Sequence, residues 1–278
     1  MSSIRQWQKT AITSDLPRSP RIVTLYILNR RVNGFILIEP NSYSSMLKNI
    51  FLTLLVIGAS FTSLFADKGK VLITGANRGL GLELSRHFIA DGYSVIGTAR
   101  KPDAAADLKK AGARVIRLDV TSDKSIAAMA KELEGVSIDI LINNAAYFGS
   151  RIQGLEALNK TTREDFLRVH NINVLGPFFV TRALLPNIKL SKTPVRKIIH
   201  VSSHSGAMFI ERKHGGAYAY GSSKAALNRI TRSMCADLKS DNIAVVSLDP
   251  GHNRTDMGGE KAPLDPKVSM KIAQQTII

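Results

Sequence analysis

The chain has 278 residues, 44% of them hydrophobic, which suits one globular core and excludes fibrous and disordered classes. A single cysteine, Cys235, excludes an intrachain disulfide framework and a cysteine-based zinc site, and the six histidines show no ligand spacing on a helix, so no metal site is expected. The net charge of +16 raises nucleic acid or an anionic surface as partners, but Lys and Arg are scattered and no aromatic residues interleave a basic stripe, so no nucleic-acid role is expected.

Residues 1–45 are basic, contain Pro17, Pro20 and Pro40, and lack clear periodicity. Residues 21–38 alternate apolar clusters with Arg30-Arg31, as a strand pair would, with nothing to pair with elsewhere. The composition then shifts. Met46 and Lys48 lead into an uncharged stretch that starts at Ile50 and closes on the small residue Ala66. A lysine, an apolar run and a small-residue end read as a signal peptide, and the length is also at the lower edge for a membrane span. The expectation is that translation starts at Met46, that 1–45 is a non-native or disordered extension, and that 46–66 makes the protein exported or membrane-associated through 50–66. A cytoplasmic protein is the alternative.

From 67 to 278 the pattern is regular. The apolar run Val71-Leu72-Ile73 is a strand, and Leu82 to Ile89 carries apolar residues at helical spacing until Gly92 stops it. Strands are expected over 94–98, 115–118, 138–142, 197–202 and 243–248. Helices are expected over 102–110, 125–133, 163–185 and 218–238. Strands that alternate with helices at this spacing, and are apolar on both faces, give βαβ units and one α/β domain with a doubly wound parallel sheet. His200 and His204 flank a strand end and read as structural.

Between the first strand and its helix lies Thr74-Gly75-Ala76-Asn77-Arg78-Gly79-Leu80-Gly81. Glycines here allow a tight turn and let the backbone approach a pyrophosphate at the helix N-terminus, as in Rossmann-type folds. The second strand ends Thr98-Ala99-Arg100-Lys101, with no carboxylate to hold a ribose 2′-hydroxyl, while Arg100 and Arg78 can accept a 2′-phosphate. NADP(H) is therefore expected ahead of NAD(H). Tyr220 and Lys224 lie one helical turn apart, and an ammonium beside a phenol lowers its pKa toward working pH. That marks Tyr220 as a general acid/base. Tyr218 lacks such a partner, because Ser222 stands four residues after it.

The glycine loop, Asn143-Asn144-Ala145, Asn173, Ser202-Ser203 and Tyr220-Gly221-Ser222-Ser223-Lys224, in this order, resemble the short-chain dehydrogenase/reductase family from about Lys70 to the end of the chain. With Thr255-Asp256-Met257-Gly258-Gly259 after Pro250-Gly251, the chain looks most like the small carbonyl-reductase-like, or C-factor-like, subgroup. The resemblance implies an oxidoreductase on a small carbonyl or alcohol substrate, with Asn173, Ser203, Tyr220 and Lys224 catalytic. Ser202 and Asn171 stay open as alternatives to Ser203 and Asn173. It also implies cofactor contacts from Gly75, Asn77, Arg78, Gly79, Leu80, Gly81, Arg100, Asp119, Val120, Asn143, Ala145, Tyr220, Lys224, Pro250, Gly251 and Thr255, and a homo-oligomer. Ala146 stands where the family usually has glycine, and His252-Asn253 where the subgroup commonly has an aromatic and a valine. No seventh strand is expected before Ile278. A non-catalytic NADP-binding sensor on the same fold is the competing reading.

Overall fold

Runs such as Val71-Leu72-Ile73 and Ile140-Leu141-Ile142 are too short for helices and apolar at successive positions, which suits strands covered on both faces. The computed structural model of the chain describes residues 68–149, 157–209 and 215–278. Its strands are β1 (Lys70–Ile73), β2 (Ser94–Ala99), β3 (Arg114–Arg117), β4 (Ile140–Asn143), β5 (Arg196–Val201) and β6 (Ile243–Leu248). They form one fully parallel sheet in the order β3-β2-β1-β4-β5-β6. The order reverses between β1 and β4, and the crevice outside the C-terminal ends of these strands is where a doubly wound sheet takes its ligand.

The helices are α1 (Gly79–Ala90), α2 (Ala106–Lys110), α3 (Asp123–Glu132), α4 (Arg163–His170), α5 (Gly176–Leu190), α6 (Tyr218–Asp237) and α7 (Pro266–Ile277). Strand parity divides the core in two. Val71 and Ile73 pack with Leu84 and Phe88 of α1 and Met270 of α7 on one face. Leu72, between them, packs with Met129 of α3 and Leu184 and Ile188 of α5 on the other. Each buried side chain of this kind stabilises by about 1.5–3 kcal/mol. Both parities are therefore core, and a polar residue in these strands has to find a partner inside it.

Helix starts differ in a way that matters for the site. Ser122, Thr162 and Asp265 cap α3, α4 and α7 by accepting the backbone N–H of Ser125, Asp165 and Lys267. At α1 the N-cap is Arg78, which makes no side-chain cap, and no acid stands in the first turn.

Several boundaries move from their expected places. The helix expected over 163–185 is interrupted: α4 ends at His170, residues Asn171–Leu175 form a π-helical turn, and α5 follows. Pro177 has no N–H to return to the carbonyl of Asn173, so the regular ladder cannot run through this point. The helix expected over 102–110 breaks at Ala105 into a 3-10 turn (Pro102–Ala104) and α2. β4 starts later than the expected 138 because the Ile138 N–H goes to the Asn187 carbonyl at 3.1 Å and the Asp139 carboxylate takes the Lys70 N–H at 2.6 Å. After β6 the described residues contain no further strand, and the chain passes into α7.

Among the described residues no helix is long and apolar enough to cross a membrane. The extension 1–45 and the expected targeting segment 46–66 lie outside the described residues.

Candidate active site

The glycine turn is held from three sides. Gly75 and Gly79 have φ of +63° and +55°, which favour glycine. A Cβ on Gly75 would lie 3.0 Å from the Ala145 Cα, and one on Gly81 would lie 2.6 Å from both Asn144 Nδ2 and the Gly75 carbonyl. The Thr74 hydroxyl accepts the backbone N–H groups of Asn144 and Ala145 at 3.0 Å each. Asn144 Nδ2 donates to the carbonyls of Thr74 at 2.9 Å and Gly75 at 3.1 Å. Ala76 N donates to the Thr98 carbonyl at 2.9 Å, joining the turn to β2. Asn144 is thus the residue that sequence reasoning passed over. Its signal was its place in Asn143-Asn144-Ala145, where only the flanking residues were assigned a role.

The turn delivers Asn77, Arg78, Gly79, Leu80 and Gly81 to the start of α1, where the N-cap side chain takes none of the first N–H groups. Glycine where a side chain would collide, and an uncapped helix start, fit the phosphates of a dinucleotide. Arg78 Nη1 donates to Asp256 Oδ2 at 2.9 Å. Arg100 is exposed just after β2. The Asp119 carboxylate accepts the Thr121 hydroxyl at 2.7 Å and the Thr121 N–H at 3.0 Å. Those bonds, and more weakly the charges of Arg100 and Arg117, hold its pKa below the usual carboxylate range despite partial burial. Val120 packs against the start of α5, where a Cβ on Gly176 would lie 3.0 Å from it. Asn143 is buried, and its Nδ2 donates to Thr181 Oγ1 of α5 at 3.0 Å. Its side chain therefore ties β4 to α5.

The second half of the site comes from β5, α6 and the π-helical turn. Lys224 is fully buried, and its Nζ donates to the Val201 carbonyl at the end of β5 at 2.7 Å. The same Nζ lies 5.6 Å from the centroid of the Tyr220 ring. Burial pulls the Lys224 pKa down from 10.5 to about 8. Gly206 fits against this turn of α6, since a Cβ there would lie 2.5 Å from the Lys224 carbonyl carbon.

The neighbouring serines differ. Ser202 is buried and its hydroxyl donates to Asn228 Oδ1 at 2.7 Å. Ser203 is half-buried and accepts the Ser205 N–H at 3.1 Å, which leaves its own proton to give. The asparagines differ too. Asn173 is fully buried, exchanges bonds of 2.8 and 2.9 Å with the Tyr147 backbone, and donates to Ser223 Oγ at 3.0 Å. Ser223 in turn donates to the Tyr220 carbonyl at 2.7 Å. Asn173 therefore clamps the segment after β4 onto α6, and Phe148 of that segment lies 4.8 Å from Tyr220, ring to ring. Asn171 is half-buried in the same turn, outside this network. Tyr218, in the first turn of α6, is exposed.

The loop after β6 closes over the glycine turn. Thr255 Cγ2 lies 3.7 Å from the place of a Cβ on Gly79. Gly251 has φ +74°, which favours glycine, and a Cβ there would also push Leu264 Cδ1, 2.5 Å away, aside. Asn253 is buried and donates to the Pro250 carbonyl at 2.8 Å and the Gly251 carbonyl at 3.1 Å, while Ser269 of α7 donates to its Oδ1. The departure at this position thus staples the loop to α7. His252 Nε2 lies 2.9 Å from the Gly258 carbonyl.

Residues 69–264 match the family model described as short chain dehydrogenase. The chain is 35% identical over 210 residues to the short-chain dehydrogenase anuI of Penicillium roqueforti, covering 69% of this chain and 81% of that protein. Among solved structures it is similar to the carbonyl reductase Sniffer of D. melanogaster, with TM-score 0.67 and 31% identity over 75% of this chain and 91% of that one. It is similar also to an NADPH-bound carbonyl reductase from chicken fatty liver, with TM-score 0.68 and 29% identity over 76% of this chain and 92% of that one.

Proposed function

This chain belongs to the short-chain dehydrogenase/reductase family of oxidoreductases, and we propose that within it the chain is an NADP(H)-dependent enzyme that interconverts a carbonyl and an alcohol, with Tyr220 as general acid/base. One observation carries the reading: a fully buried ammonium, Lys224, one helical turn from Tyr220 and fastened to the last carbonyl of β5, two residues before Ser203 in the chain. Burying a lysine is costly, and a chain that keeps one here uses its charge.

The cofactor, when bound, supplies the hydride to the carbonyl carbon. Ser203 gives a hydrogen bond to the substrate oxygen. Tyr220 gives its proton to that oxygen as negative charge grows on it, and the reverse reaction returns the proton to the phenolate. Lys224, with its pKa at about 8, still carries its proton at neutral pH and makes the phenolate less costly. Asn173 keeps the segment after β4 against α6 and so holds the wall beside Tyr220. Arg78 and Arg100 favour the 2′-phosphate of NADP(H), and the end of β2 offers no carboxylate to a 2′-hydroxyl. NAD(H) is the weaker alternative. The similar carbonyl reductase from chicken fatty liver is NADPH-bound, which supports this preference.

The test is a set of three variants in NADPH oxidation with aldehydes, ketones and quinones. Tyr220→Phe should lower turnover by about 10²–10⁴-fold with little change in cofactor affinity. Lys224→Ala should lose both, and Tyr218→Phe neither. A wild type that binds NADPH but turns over no carbonyl would be a sensor instead, and turnover indifferent to Tyr220→Phe would overturn the mechanism. Residues 46–66 direct the chain to a membrane in this reading; a full chain found wholly in the soluble fraction with 50–66 retained would refute that.

A further inference from the structure

Arg78 and Asp256 meet only through the fold. Arg78 is the N-cap of α1, inside the glycine turn, and Asp256 lies in the loop between β6 and α7, next to the Thr255 that covers Gly79. Their ion pair spans 2.9 Å, with 69% of the Arg78 and 77% of the Asp256 side chain exposed. An ion pair in water at that exposure is weak and screened by salt, so it exchanges easily for another anion. Yet it places a carboxylate on a cation that the reading above assigns to a phosphate. A guanidinium drawn toward one carboxylate through Nη1 is held away from a second anion, and the two anions repel each other. Arg100 is placed differently: among the described residues no carboxylate lies within ion-pair distance of it.

We propose that Asp256 is a specificity-determining residue that competes with the 2′-phosphate of NADP(H) for Arg78 and thereby sets how far the phosphorylated cofactor is preferred over NAD(H). The proposal rests on Arg78 being a phosphate-binding residue. The carboxylate weakens the binding of NADP(H) and leaves NAD(H), which has no phosphate at that position, nearly untouched. Asp256 acts through Arg78 as well as directly, so part of its effect depends on the arginine being present.

The experiment titrates the full chain with NADPH and with NADH, followed by cofactor fluorescence, for wild type, Asp256→Asn, Arg78→Ala and the double variant. Asp256→Asn should tighten NADPH by about two- to fivefold and leave NADH unchanged, with a smaller gain at high salt. Arg78→Ala should weaken NADPH, and in its background Asp256→Asn should gain less. If Arg78→Ala weakens NADPH but Asp256→Asn leaves the NADPH-to-NADH ratio as in wild type, the role of Asp256 is overturned and the reading of Arg78 stands. If Arg78→Ala costs NADPH nothing, the reading of Arg78 falls and the proposal with it. Both side chains are exposed, so thermal unfolding midpoints should stay as in wild type and separate binding from folding.

Discussion

His200 shows how far one buried residue ties stability to pH. It lies in β5 with no solvent exposure, and its Nδ1 is 2.8 Å from Thr231 Oγ1. The Thr231 proton goes to the Leu227 carbonyl at 2.7 Å, so the histidine is the donor and its Nε2 keeps a lone pair. Protonating Nε2 would create a buried charge with no acceptor, near a second one on Lys224. Burial first, and the Lys224 charge second, push the His200 pKa down from 6.5 to about 4. The sign follows. Between those values the unfolded chain binds the proton and the folded one does not, so this stability is whole above pH 6.5 and lost as pH falls to about 4. The loss is roughly 3 kcal/mol. Denaturant unfolding at stepped pH should show it, and His200→Asn should flatten that part of the curve. Equal slopes for wild type and variant would place the acid sensitivity elsewhere.

At the scale of elements, the glycine turn and β4 are one unit. Thr74 and Asn144 interlock side chain to backbone in both directions, and Gly81 lies under Asn144. Asn144→Ala should destabilise the protein by about 1–3 kcal/mol by leaving the carbonyls of Thr74 and Gly75 unsatisfied. Gly81→Ala should cost a similar amount through strain, because its Cβ would meet the Gly75 carbonyl as well as Asn144. Adding Asn144→Ala should therefore not rescue Gly81→Ala, since the backbone oxygen remains. Chemical denaturation of the three variants checks this, and rescue by the double variant would show that the side chain alone sets the fit. The π-helical turn is the other case. The 3.6-residue pattern over 163–185 gave no hint of it, but it turns Asn173 inward while Asn171 stays at the margin.

For the whole molecule the measurable quantity is cofactor choice. Two cations face the 2′ position in the proposed mode, Arg78 engaged by Asp256 and Arg100 without such a partner among the described residues. Arg100→Ala should therefore weaken NADPH by roughly tenfold or more, the worth of a charge-assisted bond, and leave NADH as it was. Ligand-linked stabilisation gives a second readout: at about 100-fold over its dissociation constant a cofactor should stabilise the fold by about 2.7 kcal/mol. NADPH should raise the unfolding midpoint of wild type above that of Arg100→Ala at equal concentration. Equal shifts with NADPH and NADH in both proteins would mean that the end of β2 does not discriminate.

The sequence by itself determined the α/β class, the strand–glycine–helix start, and the one-turn spacing of Tyr220 and Lys224, because each depends only on residues close in the chain. β6 falls where its apolar run places it, and α6 ends within a residue of its expected limit. The choice between Ser202 and Ser203 was not legible. Consecutive residues of a strand point to opposite faces, and in a sheet buried on both faces the apolar pattern does not say which side a polar residue takes. Packing separates the two: the Ser202 hydroxyl donates to Asn228, whereas Ser203 only accepts the Ser205 N–H. The staple from Asn144 to the glycine turn, the burial of Lys224 under the end of β5, and the pairing of Arg78 with Asp256 likewise exist only once the parallel order β3-β2-β1-β4-β5-β6 brings distant strand ends to one edge. Contacts across such distances follow from which strands are neighbours, and that is a property of the folded sheet rather than of any local stretch of sequence.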